Sequence, residues 1–311
     1  MNRSATPEVA ILLCTYNGQH YLSDQLDSIV TQTYPNWIMW VSDDGSQDNT
    51  LSILAEYRSK WPDGRLSIVH GPGQGFVANF LSLACRADIQ ADHYAFCDQD
   101  DIWEADKLQR ALDWLQGVPA DVPALYCSRT RLVDADNNSI GFSPLFAKSP
   151  VFANALTQNV GSGNTMVFNH AARLLLLEAG ATVDVVAHDW WLYMLVSGCG
   201  GKVFYDPYPS LRYRQHDANV VGVDLSWSGL WFQFRKLWRG HFRDGNRRHI
   251  GALRGLRARL TPESWETLNR FATARDRWLI PRLVGLKQSG VYRQRLSGNL
   301  SLIAAAILKK I

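Results

Sequence analysis

Through the first 118 residues, short apolar runs alternate with amphipathic stretches. Residues 9–14 (VAILLC) are continuously apolar, as in a strand buried on both faces. The polar stretch Thr15-Tyr16-Asn17-Gly18 follows, then residues 21–32 with Leu22, Leu26, Ile29 and Val30 at helical spacing. The unit recurs three times: strand 38–41 with helix 50–60, strand 66–69 with helix 76–87, and strand 94–97 with helix 104–116. Asp48 or Asn49 is placed to cap the second helix. Strands alternating with helices predict an α/β fold, a doubly wound and mostly parallel sheet with helices on both faces. Ligands of such sheets bind beyond the carboxyl ends of the strands. Those ends carry TYNG, DDGS, GPGQG and DQDD, so four polar segments are expected around one crevice.

The pattern changes at Gly117-Val118-Pro119. Strand 124–128, a turn-rich tip at 133–138 and an irregular stretch over 141–160 come next. Gly161-Ser162-Gly163-Asn164 reads as a tight loop entering strand 165–168, before helices at 171–178 and 188–196 and short strands at 203–205 and 211–213. No flexible linker separates this part from the first. Residues 1–118 therefore read as a ligand-binding half and 119–224 as a second half packed on it, with a tail over 225–311. In residues 225–242, Leu230, Trp231, Phe234, Leu237 and Trp238 share one helical face, opposite Gln233, Arg235, Lys236 and Arg239. That face suits a membrane interface, or docking on the body with a solvated basic side.

Charge sharpens this division. Residues 1–224 hold 14 Lys and Arg against 25 Asp and Glu, and residues 225–311 hold 18 against 4. A basic tail on an acidic body predicts an anionic surface as partner. No nucleic-acid recognition motif accompanies the basic charge. The five cysteines lack metal-ligand spacing and lie mostly in apolar runs, as thiols in a reducing compartment do. The first residues form no apolar signal region and no apolar run reaches bilayer length, so the expected location is cytoplasmic.

The densest chemistry lies at YAFCDQDDIW, residues 94–103, where Asp98, Asp100 and Asp101 crowd the end of a buried strand. Like charges packed so closely call for a cation, such as a divalent metal carrying a phosphorylated ligand; an acidic loop capping the next helix is the alternative. Asp43 and Asp44 end the second strand, where a carboxylate can accept the imide N–H of uracil or thymine or serve only a turn. Thr15, Tyr16 and Asn17 end the first strand, and the loop bearing Gln74 and Gly75, with Asn79 behind it, either approaches phosphate or is a plain turn. Asp189 opens a helix, as a general base or as its cap, and Trp190 and Trp191 follow it, for a sugar face or for the core.

These segments together resemble the family 2 inverting glycosyltransferases of the GT-A fold, particularly the bacterial rhamnosyltransferase-like branch. CTYNG, QTYPNW, VSDDGSQDNT, FCDQDDIW with Lys107-Leu108, GSGNTMVFN, HDWW and YRQHDAN occur in the family's order over residues 8–222. The resemblance implies a nucleotide-sugar donor, a divalent metal (Mg²⁺ or Mn²⁺) and inversion at the anomeric carbon. It makes Asp98-Gln99-Asp100 the D-x-D element, with Asp100 on the metal and Asp98 nearer the ribose or a metal-bound water. It further implies Asp43 on the base, Asp189 as general base and His216 as a further metal ligand. Asp101 remains either a helix cap or a support for the metal loop. Gly163, Asn164 and Arg214 belong beside the acceptor or behind the ligating residues, and Arg212 and Arg214 would steady phosphate charge. The expected reaction moves a sugar, rhamnose among the candidates, from a dTDP- or UDP-sugar to a saccharide acceptor. Lipid-linked acceptors of surface-polysaccharide assembly fit the basic tail. A sugar-nucleotide nucleotidyltransferase would carry a basic Gly-rich loop after the first strand, and TYNG has no basic residue. A non-catalytic scaffold would have lost the carboxylates, and they are present.

Overall fold

The computed structural model describes residues 6–215 and 241–311. Four strand–helix units open the chain: β1 (Val9–Thr15), α1 (Leu22–Val30), β2 (Trp37–Asp43), α2 (Thr50–Lys60), β3 (Leu66–His70), α3 (Phe76–Ala84), β4 (His93–Cys97), the two-residue β5 (Ile102–Trp103) and α4 (Lys107–Leu115). Then come β6 (Ala124–Val133), β7 (Ser139–Phe142), α5 (Phe152–Ala155), a 3₁₀ turn at Gly163–Thr165, β8 (Val167–Asn169), α6 (His170–Ala179), α7 (His188–Gly198) and β9 (Lys202–Arg214). Four helices follow residue 240: α8 (His241–Gly255), α9 (Pro262–Asp276), α10 (Leu279–Gln288) and α11 (Leu296–Ile307).

One sheet holds these strands in the order β3-β2-β1-β4-β8-β6-β9-β5, with β7 paired to β6. β3, β2, β1 and β4 are parallel, as alternation requires. β8 then runs antiparallel to both β4 and β6, and β6 and β9 are parallel. This inserted β8 lets the second part of the chain extend the first sheet, so the two halves share a backbone ladder.

Alternate residues of β1 feed opposite faces. Ala10, Leu12 and Cys14 join a core with α3, α6 and α7, while Val9, Ile11 and Leu13 join one with α1, α2 and α4. Burial on both sides explains the uninterrupted apolar run. Leu253 of α8, Leu268 and Phe271 of α9 and Ala305 of α11 are fully buried in the first of these cores. Residues 241–311 are therefore folded onto the body rather than trailing from it. The five cysteines are free thiols. Among the described residues no helix is long and apolar enough to cross a membrane.

Several sequence expectations change. The two short strands predicted over 203–213 are one 13-residue strand, with register shifts against β6 that let it bend. Val30, placed on the inward face of α1, is 54% exposed, because that face turns away one residue earlier, after Ile29. Asp48 Oδ1 accepts from Thr50 N and Oγ1, whereas Asn49 makes no capping bond. The segment 225–240 with its Trp-rich face, and His216, lie outside the described residues.

Candidate active site

Register aligns the strand ends. Thr15 pairs with Asp43, Asp43 with His70, and Leu13 with Cys97, so Asp98 leaves β4 beside the end of β1. The four loops expected around one crevice emerge along this edge.

Side chains of these loops fasten one loop to the next. Gln99 accepts from Tyr16 N at 2.9 Å and donates to Tyr16 O at 3.0 Å, joining the β4 loop to the β1 loop. Gly18 permits that approach: a Cβ there would lie 2.3 Å from Gln99 Oε1. Asn17, at φ 49°, donates its N–H to Ser46 Oγ and accepts from Gln47 N, tying the β1 loop to the β2 loop. Asp44 accepts from Gly73 N at 2.7 Å and Gly75 N at 2.8 Å, which ties in the glycine loop after β3. Gly75 needs its glycine, since its φ is 88°. Gln74 beside it is exposed.

Some residues assigned to the donor have their hydrogen-bonding capacity taken by the protein. Asp43 is 2% exposed; its Oδ1 accepts from Thr15 Oγ1 and Ser46 Oγ, and its Oδ2 from Gly45 N and Ser46 N. Four bonds fill a carboxylate's acceptor sites, so Asp43 builds the loop, and Asp44, with two, keeps capacity toward a ligand. Asn79 is buried and spends both ends of its amide on Ser42. Gln99 is likewise consumed by Tyr16. Thr15 is buried with its hydroxyl on Asp43, whereas the Tyr16 ring is 58% exposed.

The acidic loop has two levels. Asp98 and Asp100 are half-buried. Burial, then the charges of Asp100 and Asp189, push the Asp98 carboxyl up to about 8. Asp101 is fully buried below them and is no helix cap: β5 and a turn separate it from α4. Its Oδ2 accepts from Asn164 Nδ2 and its Oδ1 from Arg214 N. Burial first, then Asp100 and Asp98, raise its pKa well above the carboxylate range. Lys107 is also buried below this loop, its Nζ 3.7 Å from the Trp103 ring centroid, and burial lowers its pKa to about 7.

Arg214, expected near phosphate, is 2% exposed and directed inward. It donates to Asp100 O at 3.1 Å, Ala135 O at 2.6 Å and Asp24 Oδ2 at 2.9 Å, and stacks on Tyr21. Arg212 is held by Glu104. Both guanidinium groups thus have protein partners, at the acidic loop and at the sheet edge.

Asp189 comes from the opposite side, in the first turn of α7, where the helix dipole favours an anion. It is half-buried and does not cap: Ala187 is the N-cap. Its Oδ1 accepts from Trp190 N at 2.6 Å and its Oδ2 from Asn159 Nδ2 at 3.0 Å. Burial raises its carboxyl to about 6 against these hydrogen bonds. Gly163 packs beside it: a Cβ would fall 3.3 Å from Asp189 Cβ and 2.6 Å from His188 Nε2. His188 is buried, stacked on Phe80 at 3.9 Å, and burial lowers its pKa to about 3, so it is neutral. Trp191 is fully buried in the core and offers no sugar surface, while Trp190 is partly buried with its indole N–H on Ala155 O.

Asp98 thus falls within electrostatic reach of both Asp100 and Asp189, although some ninety residues separate it from Asp189. Tyr213 lies among the same acids: burial, then Asp101, Asp98, Asp100 and Asp189, raise its phenol. Sequence reasoning missed Tyr213, Asn159 and Asp24. Tyr213 is the first residue of YRQHDAN, and Asn159 stands just before GSGN, so motif proximity was the available signal.

The acid cluster suits a hard divalent cation, because oxygen donors predominate there. Among the described residues no group of three or more His, Cys, Asp and Glu could hold a metal ion. One or two carboxylates completed by substrate phosphate and water is the usual pattern for Mg²⁺, and Asp98 and Asp100 can supply that part.

This sheet, with its mixed strands and edge of acidic loops, is the GT-A fold of glycosyltransferases. It is similar to the S. aureus TarS 1-349 structure in complex with UDP, with a TM-score of 0.55 and 14% identity over 97% of this chain and 90% of that one. The mannosyltransferase PcManGT from Pyrobaculum calidifontis, solved with GDP-Man and Mn²⁺, is similar over 99% of this chain and 88% of that one, with a TM-score of 0.51 and 18% identity. The model of glycosyl transferase family 2 matches residues 10–178, and the chain belongs to that family. It is 32% identical over 228 residues to the dTDP-rhamnosyl transferase RfbG of Shigella flexneri, covering 69% of this chain and 75% of that protein.

Proposed function

We propose that this glycosyltransferase is metal-dependent and inverting, and moves a sugar from a dTDP- or UDP-sugar to a saccharide acceptor. The convergence of Asp98, Asp100 and Asp189 carries this reading. Similarity to a dTDP-rhamnosyl transferase supports dTDP-rhamnose as first donor to try. A lipid-linked acceptor of surface-polysaccharide assembly, met at an anionic membrane face, fits the basic charge of residues 225–311.

In this reading the exposed Tyr16 ring and the spare acceptor capacity of Asp44 receive the pyrimidine. Gln74 and the Gly75 backbone face the donor beside them. Asp100, with Asp98 next to it, would hold Mg²⁺ or Mn²⁺, and His216 would be a further ligand. When bound, the cation supplies Lewis-acid neutralisation of the diphosphate leaving group. Asp189 accepts the proton of the acceptor hydroxyl as its oxygen attacks the anomeric carbon and the bond to the diphosphate breaks on the opposite face. A base near 6 is ionised at neutral pH yet basic enough to take that proton. The bonds from Asn159 and Trp190 fix the carboxylate's direction. Asn164, Gly163 and Arg214 hold the acidic loop and the α7 turn in their relative places.

The test is transfer of labelled sugar from dTDP-rhamnose and UDP-sugars to membrane-extracted glycolipid, with Mn²⁺ or with chelator. Transfer that is lost in chelator and restored by Mn²⁺ is expected. Asp189→Asn should lower turnover about 10²–10⁴-fold while donor still binds. Full turnover in that variant would remove Asp189 as base, and chelator-resistant transfer would remove the cation.

A further inference from the structure

Helix α11 carries no charged side chain and has apolar residues on both its buried and its exposed side. No Asp, Glu, Lys or Arg occurs between Leu296 and Leu308. Leu302, Ala305 and Ala306 are buried against the body. On the other side Leu296, Leu300, Ile303 and Ile307 are 77%, 60%, 45% and 50% exposed. Their spacing of four, three and four residues places them in one stripe along the helix. A helix with apolar residues on every face is normally buried or in contact with lipid.

The stripe continues onto α10. Arg282 donates to Ala306 O at 2.7 Å and to Arg277 O at 2.5 Å, so one buried guanidinium joins the end of α11 to the start of α10. Next to Arg277, Trp278 is 67% exposed and Ile280 is 61% exposed. Residues 277–311 include seven Lys and Arg and no Asp or Glu. Of these, Arg277, Lys287, Arg295 and Lys309 are exposed around the apolar residues.

We propose that the exposed face of α10 and α11 docks on an anionic lipid bilayer, with Trp278, Ile280, Leu296, Leu300, Ile303 and Ile307 in the acyl boundary and the flanking cations on headgroups. Exposed apolar side chains flanked by a net excess of cations, seven Lys and Arg in residues 276–311 against Asp276 alone, match an interface-lying element that gains from hydrophobic burial and anionic lipid together. A second copy of the chain would bring the same net positive charge to the same surface, so charge favours lipid over self-association. α11 is too short to cross a bilayer and lies along it. This site deepens the membrane-facing part of the proposed function and rests on it only there.

Vesicle flotation tests it without donor, acceptor or metal, so failure here leaves the transferase reading standing and the reverse also holds. The full chain should float with phosphatidylcholine vesicles containing phosphatidylglycerol at least tenfold more than with phosphatidylcholine alone, and raised salt should weaken that preference. Leu300→Glu with Ile307→Glu, both on the solvent side, should lower binding tenfold or more. The circular dichroism and melting temperature of that variant should stay as in the parent. Arg295→Glu with Lys309→Glu should abolish the preference for anionic vesicles. Equal flotation with neutral vesicles overturns the proposal, as does full binding by the Leu300/Ile307 variant. Loss of a dimer by that variant in sedimentation, without vesicle binding by the parent, assigns the stripe to a second copy instead.

Discussion

Asn159 Nδ2 donates to Asp189 Oδ2 at 3.0 Å and so fixes the candidate base from a loop that precedes its helix by about thirty residues. Removing this bond should disturb catalysis more than binding. Asn159→Ala is expected to lower kcat about tenfold or more with little change in donor KM, since misdirection of a reacting group acts mainly on the chemical step. Asn159→Asp should add an anion beside Asp189 and move the acidic limb of the rate profile to higher pH. An unmoved limb would detach Asn159 from the base.

The pH profile follows from Asp189 itself. Burial raises its carboxyl to about 6, and a base works only when deprotonated. Turnover should therefore be low below pH 6, rise through that value and level off above it. A limb near the ordinary carboxylate range, about 4, would place the working group elsewhere. The measurement is the initial rate from pH 4.5 to 8.5 at saturating donor and cation.

Gly163 lacks room for a side chain. A Cβ would sit 2.6 Å from His188 Nε2, and the buried His188 ring stacked on Phe80 has nowhere to retreat. Gly163→Ala should push the first turn of α7 and lower kcat about a hundredfold, the scale of an ångström's misplacement. Donor binding, followed by calorimetry, should stay within a few-fold of the parent.

Arg214 predicts coupling between stability and the acidic loop. Its guanidinium partners include the backbone of Asp100 and Ala135 and the exposed Asp24. Arg214→Ala should cost about 2–3 kcal/mol in chemical denaturation, mostly from charged hydrogen bonds to carbonyls, since the exposed carboxylate contributes little. It should also weaken Mn²⁺ binding roughly tenfold, because the segment bearing Asp100 loses its anchor. Lysine should restore little, having no planar fork to reach three acceptors.

The fold was readable because the first four strands are buried on both faces and separated by amphipathic helices, a pattern local to the chain. The antiparallel insertion of β8 was not readable: three residues of a buried strand carry no sign of their direction. Of the site, Asp98, Asp100 and Asp189 announced themselves as carboxylates in places where carboxylates are costly. Asp43, Asn79, Gln99 and Arg214 were read as ligand contacts because polar residues at strand ends look alike in sequence. The structure gives each of them protein partners far along the chain, which sequence order does not reveal. Asn159 went unseen for the same reason, since nothing local distinguishes an asparagine that holds a distant carboxylate.

Those bracing bonds bear on how donor preference can be exchanged between relatives. Gln99 grips the β1 loop, Asn17 the β2 loop, Asp44 the β3 loop, and Arg214 reaches from β9 to the β4 loop. A loop grafted alone from another transferase would arrive without its counterpart and leave the edge unfastened. The practical unit of transplantation is the set of four strand-end loops with these side chains, moved together.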